Sequence, residues 1–193
     1  MVMRFVPGKT LAVVSRDAGP MAVDRVVALL EPVAEALDYA HGQGVVHRDL
    51  KPGNIMVEPG GRVALMDFEL ARPVSVTGAG ATVTNMLGNL AGTPPYLSPE
   101  QFQDEAPGPA SDRYALGVTA YELLTRRYPF EATNLVALGL MVVANAPPSV
   151  RGLRPDLPER VERAIIRMLA KAPGDRFGTS VAFVRELAGG PHR

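Results

Sequence analysis

The sequence predicts an α+β domain that is mainly helical, with a few short strands that follow the first long helix. Apolar residues recur at helical spacing over residues 23–37, three short apolar runs lie between 45 and 66, and four further helical patterns follow residue 110. A chain of 193 residues can bury one sizeable core, and no repeat or linker divides it. We therefore predict one domain over residues 1–193.

The first long helix has one predicted weak point and a clear end. Pro32 interrupts its apolar pattern, which allows a kink or a late start, and Gly42 with Gly44 should end it. Before the helix, residues 1–6 have the pattern of a strand end that Pro7-Gly8 stops. The apolar face consists of Val23, Val26, Val27, Leu30, Val33, Ala34 and Leu37.

Short strands are predicted at Val45-Val46, Ile55-Met56-Val57 and Val63 to Met66, with a Pro59-Gly60-Gly61 turn before the last. Residues 72–95 are rich in Gly, Thr, Ala and Pro without a sustained period, which predicts a long loop of the kind that often carries function. The later helical patterns cover Asp112 to Thr125, Asn134 to Asn145, Pro158 to Ala170 and Thr179 to Leu187.

Composition excludes several classes of function. The net charge is zero, so we expect neither nucleic acid nor an anionic membrane surface as a partner. The chain has no cysteine, which removes disulfides and thiol catalysis. No apolar run is long enough to span a bilayer or resembles a signal peptide, and we therefore expect a cytoplasmic location.

The most informative segment is residues 47–54, which read His-Arg-Asp-Leu-Lys-Pro-Gly-Asn. Asp49 follows an apolar strand and could accept a proton from an attacking hydroxyl, while Lys51 could neutralise a phosphate. Only three of the 20 basic residues are lysines, which favours a specific need for Lys51. Asn54 and Asp67 offer the oxygen ligands that Mg²⁺ prefers.

This octapeptide resembles the catalytic loop of the bacterial eukaryotic-type (Hanks-type) serine/threonine protein kinases. The resemblance implies the fold of the kinase C-lobe, ATP and Mg²⁺ as cofactors, and protein substrates that carry serine or threonine acceptors. Four later segments resemble the same family, namely Met66-Asp67-Phe68, Gly92-Thr93-Pro94 with Tyr96 to Glu100, Ser111 to Val118, and Asp175-Arg176-Phe177.

The resemblance assigns structural roles as well. Asp112 would anchor the backbone of the catalytic loop, and Glu100 would form a partly buried ion pair with Arg176 beneath the substrate-binding floor. Thr93 lies on that floor, and together with Lys51 it favours serine and threonine over tyrosine as acceptors.

Residues 1–11 resemble the hinge between the two kinase lobes. By that resemblance Met3 flanks the adenine pocket, backbone groups of Arg4 and Val6 bond adenine, and Met56 packs beneath the ring. Both methionines are equally well explained as ordinary core residues.

Residues 67–100 correspond to the activation segment. Thr82 and Thr84, with Thr77 behind them, are candidate phosphate acceptors, and the phosphate could pair with Arg48. The alternative is that a loop of small polar residues simply contains threonines.

Two departures from the family weigh against activity. A chain that starts at the hinge lacks the N-lobe with its glycine-rich loop and phosphate-binding lysine, so we expect weak ATP binding and low turnover. We also expect self-association, or a partner, at the exposed hinge face. Glu69 replaces the usual glycine of the metal-binding triplet. The alternative function is therefore an inactive C-lobe remnant that binds proteins as a scaffold. A small-molecule phosphotransferase fits less well, because the threonine-bearing loop followed by Ser98-Pro99-Glu100 serves a protein acceptor.

Overall fold

A computed structural model describes residues 6–67, the backbone of 72–73, and residues 94–190. The described helices are α1 (Leu11–Ala18), α2 (Val23–Gly42), α3 (Pro99–Phe102), α4 (Pro109–Thr125), α5 (Leu135–Ala144), α6 (Val150–Leu153), α7 (Glu159–Met168) and α8 (Ser180–Ala188). The described strands are β1 (Lys9–Thr10), β2 (Val45–Val46), β3 (Ile55–Val57), β4 (Val63–Leu65) and β5 (Arg72–Pro73). Within these ranges the protein is mainly helical, as the sequence predicts.

The strands form two small antiparallel sheets. The first has the order β1-β3-β4, and Met56 lies opposite Thr10 on one side and Ala64 on the other. The second pairs β2 with β5, with Val46 opposite Arg72. The hairpin of β3 and β4 positions the site, because the residues after β4 come back next to Asn54 at the end of the 47–54 segment.

The structure differs from the sequence prediction in several places, one of which is strand β1 at Lys9–Thr10. Residues 72–95 do not form loop alone, since Arg72–Pro73 pair with β2 and Pro94–Tyr96 form a 3-10 turn. Helix α2 runs through Pro32 from Val23 to Gly42, because the packing of its buried face outweighs the lost hydrogen bond. The short helices α1, α3 and α6 lack a long apolar period, and no pattern predicted them.

Helix α4 lies at the centre of the core. Its residues are buried around nearly the whole circumference, including Tyr114, Leu116, Tyr121 and Leu124, so its sequence has no polar face. Helices α2 and α8 pack together, and the Asp38 carboxylate of α2 accepts the backbone N–H groups of Ser180 and Val181 at 2.8 and 2.9 Å. A side chain from α2 therefore supports the N-terminal end of α8. None of the helices described here is long and apolar enough to cross a membrane.

We expect Gly8→Ala to destabilise the fold by about 1–3 kcal/mol. Gly8 has φ +138°, and a Cβ there would lie 2.2 Å from the carbonyl oxygen of Val57 in β3. Backbone of the β1–β3 pair would have to move to accept it. Urea unfolding measures the loss. Gly60→Ala is the matched control, because nothing lies within 4 Å of a Cβ at Gly60, and equal stability losses in the two variants would contradict the expectation.

Candidate active site

The backbone of the 47–54 segment is held from helix α4. Asp112 accepts the backbone N–H of His47 on Oδ2 and that of Arg48 on Oδ1, both at 2.8 Å. Asp112 is 1% exposed, and its carboxylate is therefore committed to these bonds rather than to solvent. A single buried side chain thus sets the direction in which the chain leaves β2.

A residue that sequence reasoning missed supports Asp112. His41, in the last turn of α2, lies with Nε2 2.8 Å from Asp112 Oδ2. The signal was present in the sequence, since Val33, Leu37 and His41 are spaced four apart and share the buried side of α2. A histidine that continues an apolar stripe indicates a polar partner inside the fold.

His47 joins the segment to the end of β4. Its buried ring donates Nε2–H to the carbonyl oxygen of Met66 at 2.8 Å, while Nδ1 accepts the backbone N–H of Asp49 at 3.3 Å. These two bonds require the neutral tautomer with hydrogen on Nε2. The backbone N–H of Met66 also donates to the carbonyl oxygen of Asn54 at 2.8 Å. Asp67 therefore follows directly from a residue that is bonded to both ends of the segment.

Asp49, Lys51 and Asn54 form one polar cluster. Lys51 Nζ lies 2.8 Å from Asp49 Oδ2 and 3.1 Å from Oδ1. Asn54 Nδ2 donates to the Asp49 backbone carbonyl at 2.8 Å and to Oδ2 at 3.0 Å. Asn54 is buried, whereas the side chains of Asp49 and Lys51 are 17% and 24% exposed. The cluster thus holds a carboxylate beside an ammonium at a surface that substrate can reach.

Two residues that flank this cluster have unfavourable backbone conformations. The backbone φ angle is +70° at Arg48 and +60° at Asp67, values that residues other than glycine rarely adopt. Such conformations persist where neighbouring interactions impose them, and they concentrate at functional sites. Here the N–H of Arg48 is bonded to Asp112, and Asp67 follows Met66, whose carbonyl accepts the His47 ring N–H.

Glu100 and Arg176 lie together, as the sequence resemblance implies. Arg176 donates Nη1 to Glu100 Oε1 and Nη2 to Oε2, each at 2.8 Å, and the pair is buried. The remaining Arg176 N–H groups donate to backbone carbonyls of Ala170, Lys171 and Ala110. Burial alone would raise the pKa of Glu100, but Arg176 outweighs it and holds that pKa below its ordinary value.

A bidentate buried ion pair, a carboxylate–lysine–amide cluster and a second acid at the end of the next hairpin occur together in this fold. The model of the family described as "Protein kinase domain" matches residues 1–186. The chain belongs to the protein kinase domain family. The resemblance of the chain to the protein kinase family is confirmed.

This kinase domain is similar to named bacterial serine/threonine-protein kinases. It is 39% identical over 193 positions to serine/threonine-protein kinase pkn3 of Myxococcus xanthus, covering 97% of this chain and 35% of that protein. It is 36% identical over 187 positions to PknL of Mycobacterium tuberculosis, covering 97% of this chain and 46% of the relative. It is 36% identical over 177 positions to the probable kinase PknB of Lactococcus lactis, covering 92% and 27%. The kinase domain thus spans less than half the length of these relatives.

Several predicted site residues lie outside the described part of the kinase domain. Of the predicted adenine contacts, Val6 and Met56 are described and are partly buried. None of the exposed large hydrophobic side chains in the described residues belongs to residues 6–11, so the self-association predicted at the hinge has no support from that segment. The residues outside the description are Met3, Arg4, Glu69, Thr77, Thr82, Thr84 and Thr93.

The fit of Mg²⁺ to this site depends on Asn54 and Asp67. Asn54 donates both of its bonds to Asp49 through Nδ2, and these bonds leave its amide oxygen Oδ1 available as a metal ligand. Asp67 is exposed at the end of β4. The described residues contain no cluster of three or more His, Cys, Asp or Glu side chains that could hold a metal by itself. One carboxylate and one amide suit Mg²⁺, which keeps several waters and shares phosphate oxygens.

Asp112→Ala is expected to lower the free energy of unfolding by about 2–4 kcal/mol, because the backbone N–H groups of His47 and Arg48 lose their acceptor inside the protein. Thermal and urea unfolding measure this loss. Glu31→Ala, which removes an exposed carboxylate from α2, should change stability by no more than about 0.5 kcal/mol. Equal effects of the two variants would show that Asp112 does not hold the loop.

Proposed function

We propose that this chain is the catalytic-loop part of a serine/threonine protein kinase and transfers the terminal phosphoryl group of ATP to a protein hydroxyl. The observation that carries the proposal is the cluster of Asp49, Lys51 and Asn54. Asp67 follows Met66, which is bonded to both His47 and Asn54. The names of the similar proteins support the same reaction.

In this reaction the acceptor oxygen attacks the γ-phosphorus, the bond between that phosphorus and the bridging oxygen breaks, and ADP leaves. Asp49 orients the acceptor hydroxyl and takes its proton. Lys51, now paired with Asp49, stabilises negative charge on the phosphoryl group as it moves. Asn54 and Asp67 would hold Mg²⁺, which neutralises charge on the phosphates when bound.

The nucleotide is proposed to lie on the hinge side of the cluster. Met56 lies in β3, which pairs with β1, and β1 begins directly after Gly8 at the end of the hinge segment. This arrangement supports an adenine position above Met56. Met3, Arg4 and Val6 would then contact the adenine from the hinge. We place the protein in the cytoplasm, where its nucleotide substrate is available.

Regulation through the activation segment is a further part of the proposal. Arg48 Nε is buried and has no hydrogen-bond partner among the described residues. An unpaired guanidinium N–H beside Asp49 supports the pairing of Arg48 with a phosphate on Thr82 or Thr84. Thr93 is proposed to line the floor on which the acceptor residue lies.

The function is tested by incubating the 193-residue chain, and the longest product of the same reading frame, with radiolabelled ATP and matched peptides that differ only in a Ser, Thr, Tyr or Ala acceptor. We expect labelling of the Ser and Thr peptides that requires Mg²⁺ and stops with EDTA. Labelling of the Tyr peptide alone would overturn the specificity. No transfer by either product would favour the alternative function, a protein-binding scaffold.

A further inference from the structure

Asp112 has a third hydrogen-bond partner, which does not belong to the catalytic loop. Its Oδ1 accepts the backbone N–H of Arg48 and its Oδ2 that of His47, and Oδ2 also lies 2.8 Å from Nε2 of His41. The first two donors are part of the loop and would move with it. His41 belongs to the last turn of α2, so it ties the Asp112 carboxylate to a separate element of the core.

These contacts determine which ring nitrogen of His41 carries the hydrogen. Both oxygens of Asp112 accept backbone N–H groups, so the carboxylate is an acceptor towards His41 and Nε2 donates. Nδ1 of His41 is buried and has no hydrogen-bond partner among the described residues. A hydrogen on Nδ1 would be a buried donor without an acceptor, which is unfavourable. The geometry therefore selects the tautomer with hydrogen on Nε2.

The orientation of the Asp112 carboxylate affects the backbone directly before Asp49. Asp112 accepts the N–H of Arg48, which has a φ angle of +70° and immediately precedes Asp49. This left-handed conformation is unfavourable unless neighbouring interactions impose it. A rotation of the Asp112 carboxylate would therefore change the direction in which the backbone enters Asp49.

Helix α2 gives this hydrogen bond a rigid support. Val33 and Leu37, which precede His41 by two turns and one turn, are buried in the core. The Asp38 carboxylate binds the start of α8 through two backbone N–H groups. The His41 side chain itself is only 9% exposed. The core thus fixes the position from which His41 donates to Asp112.

We propose that His41 is a positioning residue for phosphoryl transfer, because its Nε2–H fixes the Asp112 carboxylate that orients the backbone at Arg48 and Asp49. The inference rests on the proposed function, in which Asp49 takes the proton of the acceptor hydroxyl. His41 acts through Asp112 and exchanges no proton with the substrate. Since transfer depends steeply on the placement of the reacting groups, loss of this bond should lower kcat rather than weaken the binding of ATP.

Three substitutions at His41 separate the hydrogen bond from the packing of the ring. His41→Leu removes the donor and keeps an apolar side chain. His41→Gln places an amide N–H about as far from the backbone as Nε2, whereas His41→Asn places it one bond closer, near the position of Nδ1. The two amides make the core polar to a similar degree, so a difference between them reports the reach of the donor.

The variants are compared by steady-state peptide phosphorylation, in whichever of the two products used to test the function transfers phosphate. We expect kcat to fall about 10- to 100-fold in His41→Leu and His41→Asn and to stay within about threefold of the parent in His41→Gln. The KM for ATP should change by no more than about twofold in all three. Equal kcat values for the Gln and Asn variants, or a kcat of His41→Leu within about twofold of the parent, overturn the role of His41. Absence of transfer by both parent products instead overturns the proposed function, so the two failures are distinguishable.

A spectroscopic measurement tests the hydrogen bond without reference to activity. Nitrogen NMR of the parent chain with isotopically labelled histidine distinguishes a ring nitrogen that carries hydrogen from one that does not, and the His41 signals are assigned by their loss in His41→Gln. We expect hydrogen on Nε2 and a bare Nδ1. A His41 ring with hydrogen on Nδ1 alone overturns the proposal. This spectrum and the comparison of Gln with Asn keep the test decisive if His41→Leu does not fold.

Discussion

Asp49→Asn is expected to lower phosphoryl transfer by roughly 100- to 10,000-fold, because an amide cannot accept the proton of the acceptor hydroxyl. The change is nearly isosteric, and the remaining amide oxygen can still accept one of the bonds that Lys51 and Asn54 donate to Asp49. Steady-state transfer of labelled phosphate to the better of the Ser and Thr peptides measures the loss. The loss should appear in kcat, since the role proposed for Asp49 concerns the reacting atoms and not the adenine.

The matched control for this variant is Asp24→Asn, which neutralises an exposed carboxylate in the first turn of α2. We expect Asp24→Asn to retain activity within a factor of two or so, because surface changes away from a site have small effects. Unchanged transfer by Asp49→Asn would show that another group accepts the proton and would remove the central role proposed for Asp49.

Arg176→Ala is expected to lower the free energy of unfolding by about 3–5 kcal/mol, because it leaves the Glu100 carboxylate buried without its partner. It also removes the donors that the carbonyls of Ala170, Lys171 and Ala110 use. Equilibrium unfolding in urea gives the value. The exposed pair of Arg163 and Glu159 on α7 provides the control, and Arg163→Ala should cost about 0.5 kcal/mol or less.

The double variant Glu100→Gln with Arg176→Met separates the ion pair from the packing around it. It removes both charges and should recover part of the loss, since the largest cost is an unpaired buried charge. A double variant less stable than Arg176→Ala would contradict this account.

The same pair predicts a dependence on pH. The pKa of Glu100 is lower in the folded than in the unfolded chain. Its contribution to the free energy of unfolding is therefore complete above the unfolded-state pKa and is lost as the pH falls through the folded-state pKa. The difference in stability between the parent chain and Glu100→Gln should therefore be largest near neutral pH and should narrow in acid. A constant difference from pH 7 to pH 3 would contradict the direction of this shift.

Sequence reasoning recovered the parts of the fold that have a long period or a dense motif. Helices α2, α4, α5, α7 and α8 could be predicted because each has a run of about ten residues in which apolar side chains recur at the positions that become buried. The cluster of Asp49, Lys51 and Asn54 was predictable because its members lie within six residues, so local backbone geometry alone keeps them close.

Other features depend on partners that are distant in the sequence. Strands β1 and β5 have two residues each and form because β3 and β2 offer unpaired edges, a condition that no local pattern records. The bond between His41 and Asp112 joins residues 71 positions apart, and only the assembled fold brings them together. Burial and the nearby charge of Arg176 lower the pKa of Lys171 to about 8, and both depend on tertiary packing.

The contact between Asp38 and the start of α8 has a consequence for shortened forms of the protein. The two backbone N–H groups that donate hydrogen bonds to Asp38 belong to residues more than 140 positions later in the sequence. Phe183, Val184 and Leu187 of α8 are buried. A version cut before Thr179 would remove both of these N–H donors from Asp38 and uncover the part of α2 that packs against α8. The final helix is thus a structural member of the domain and not a removable tail.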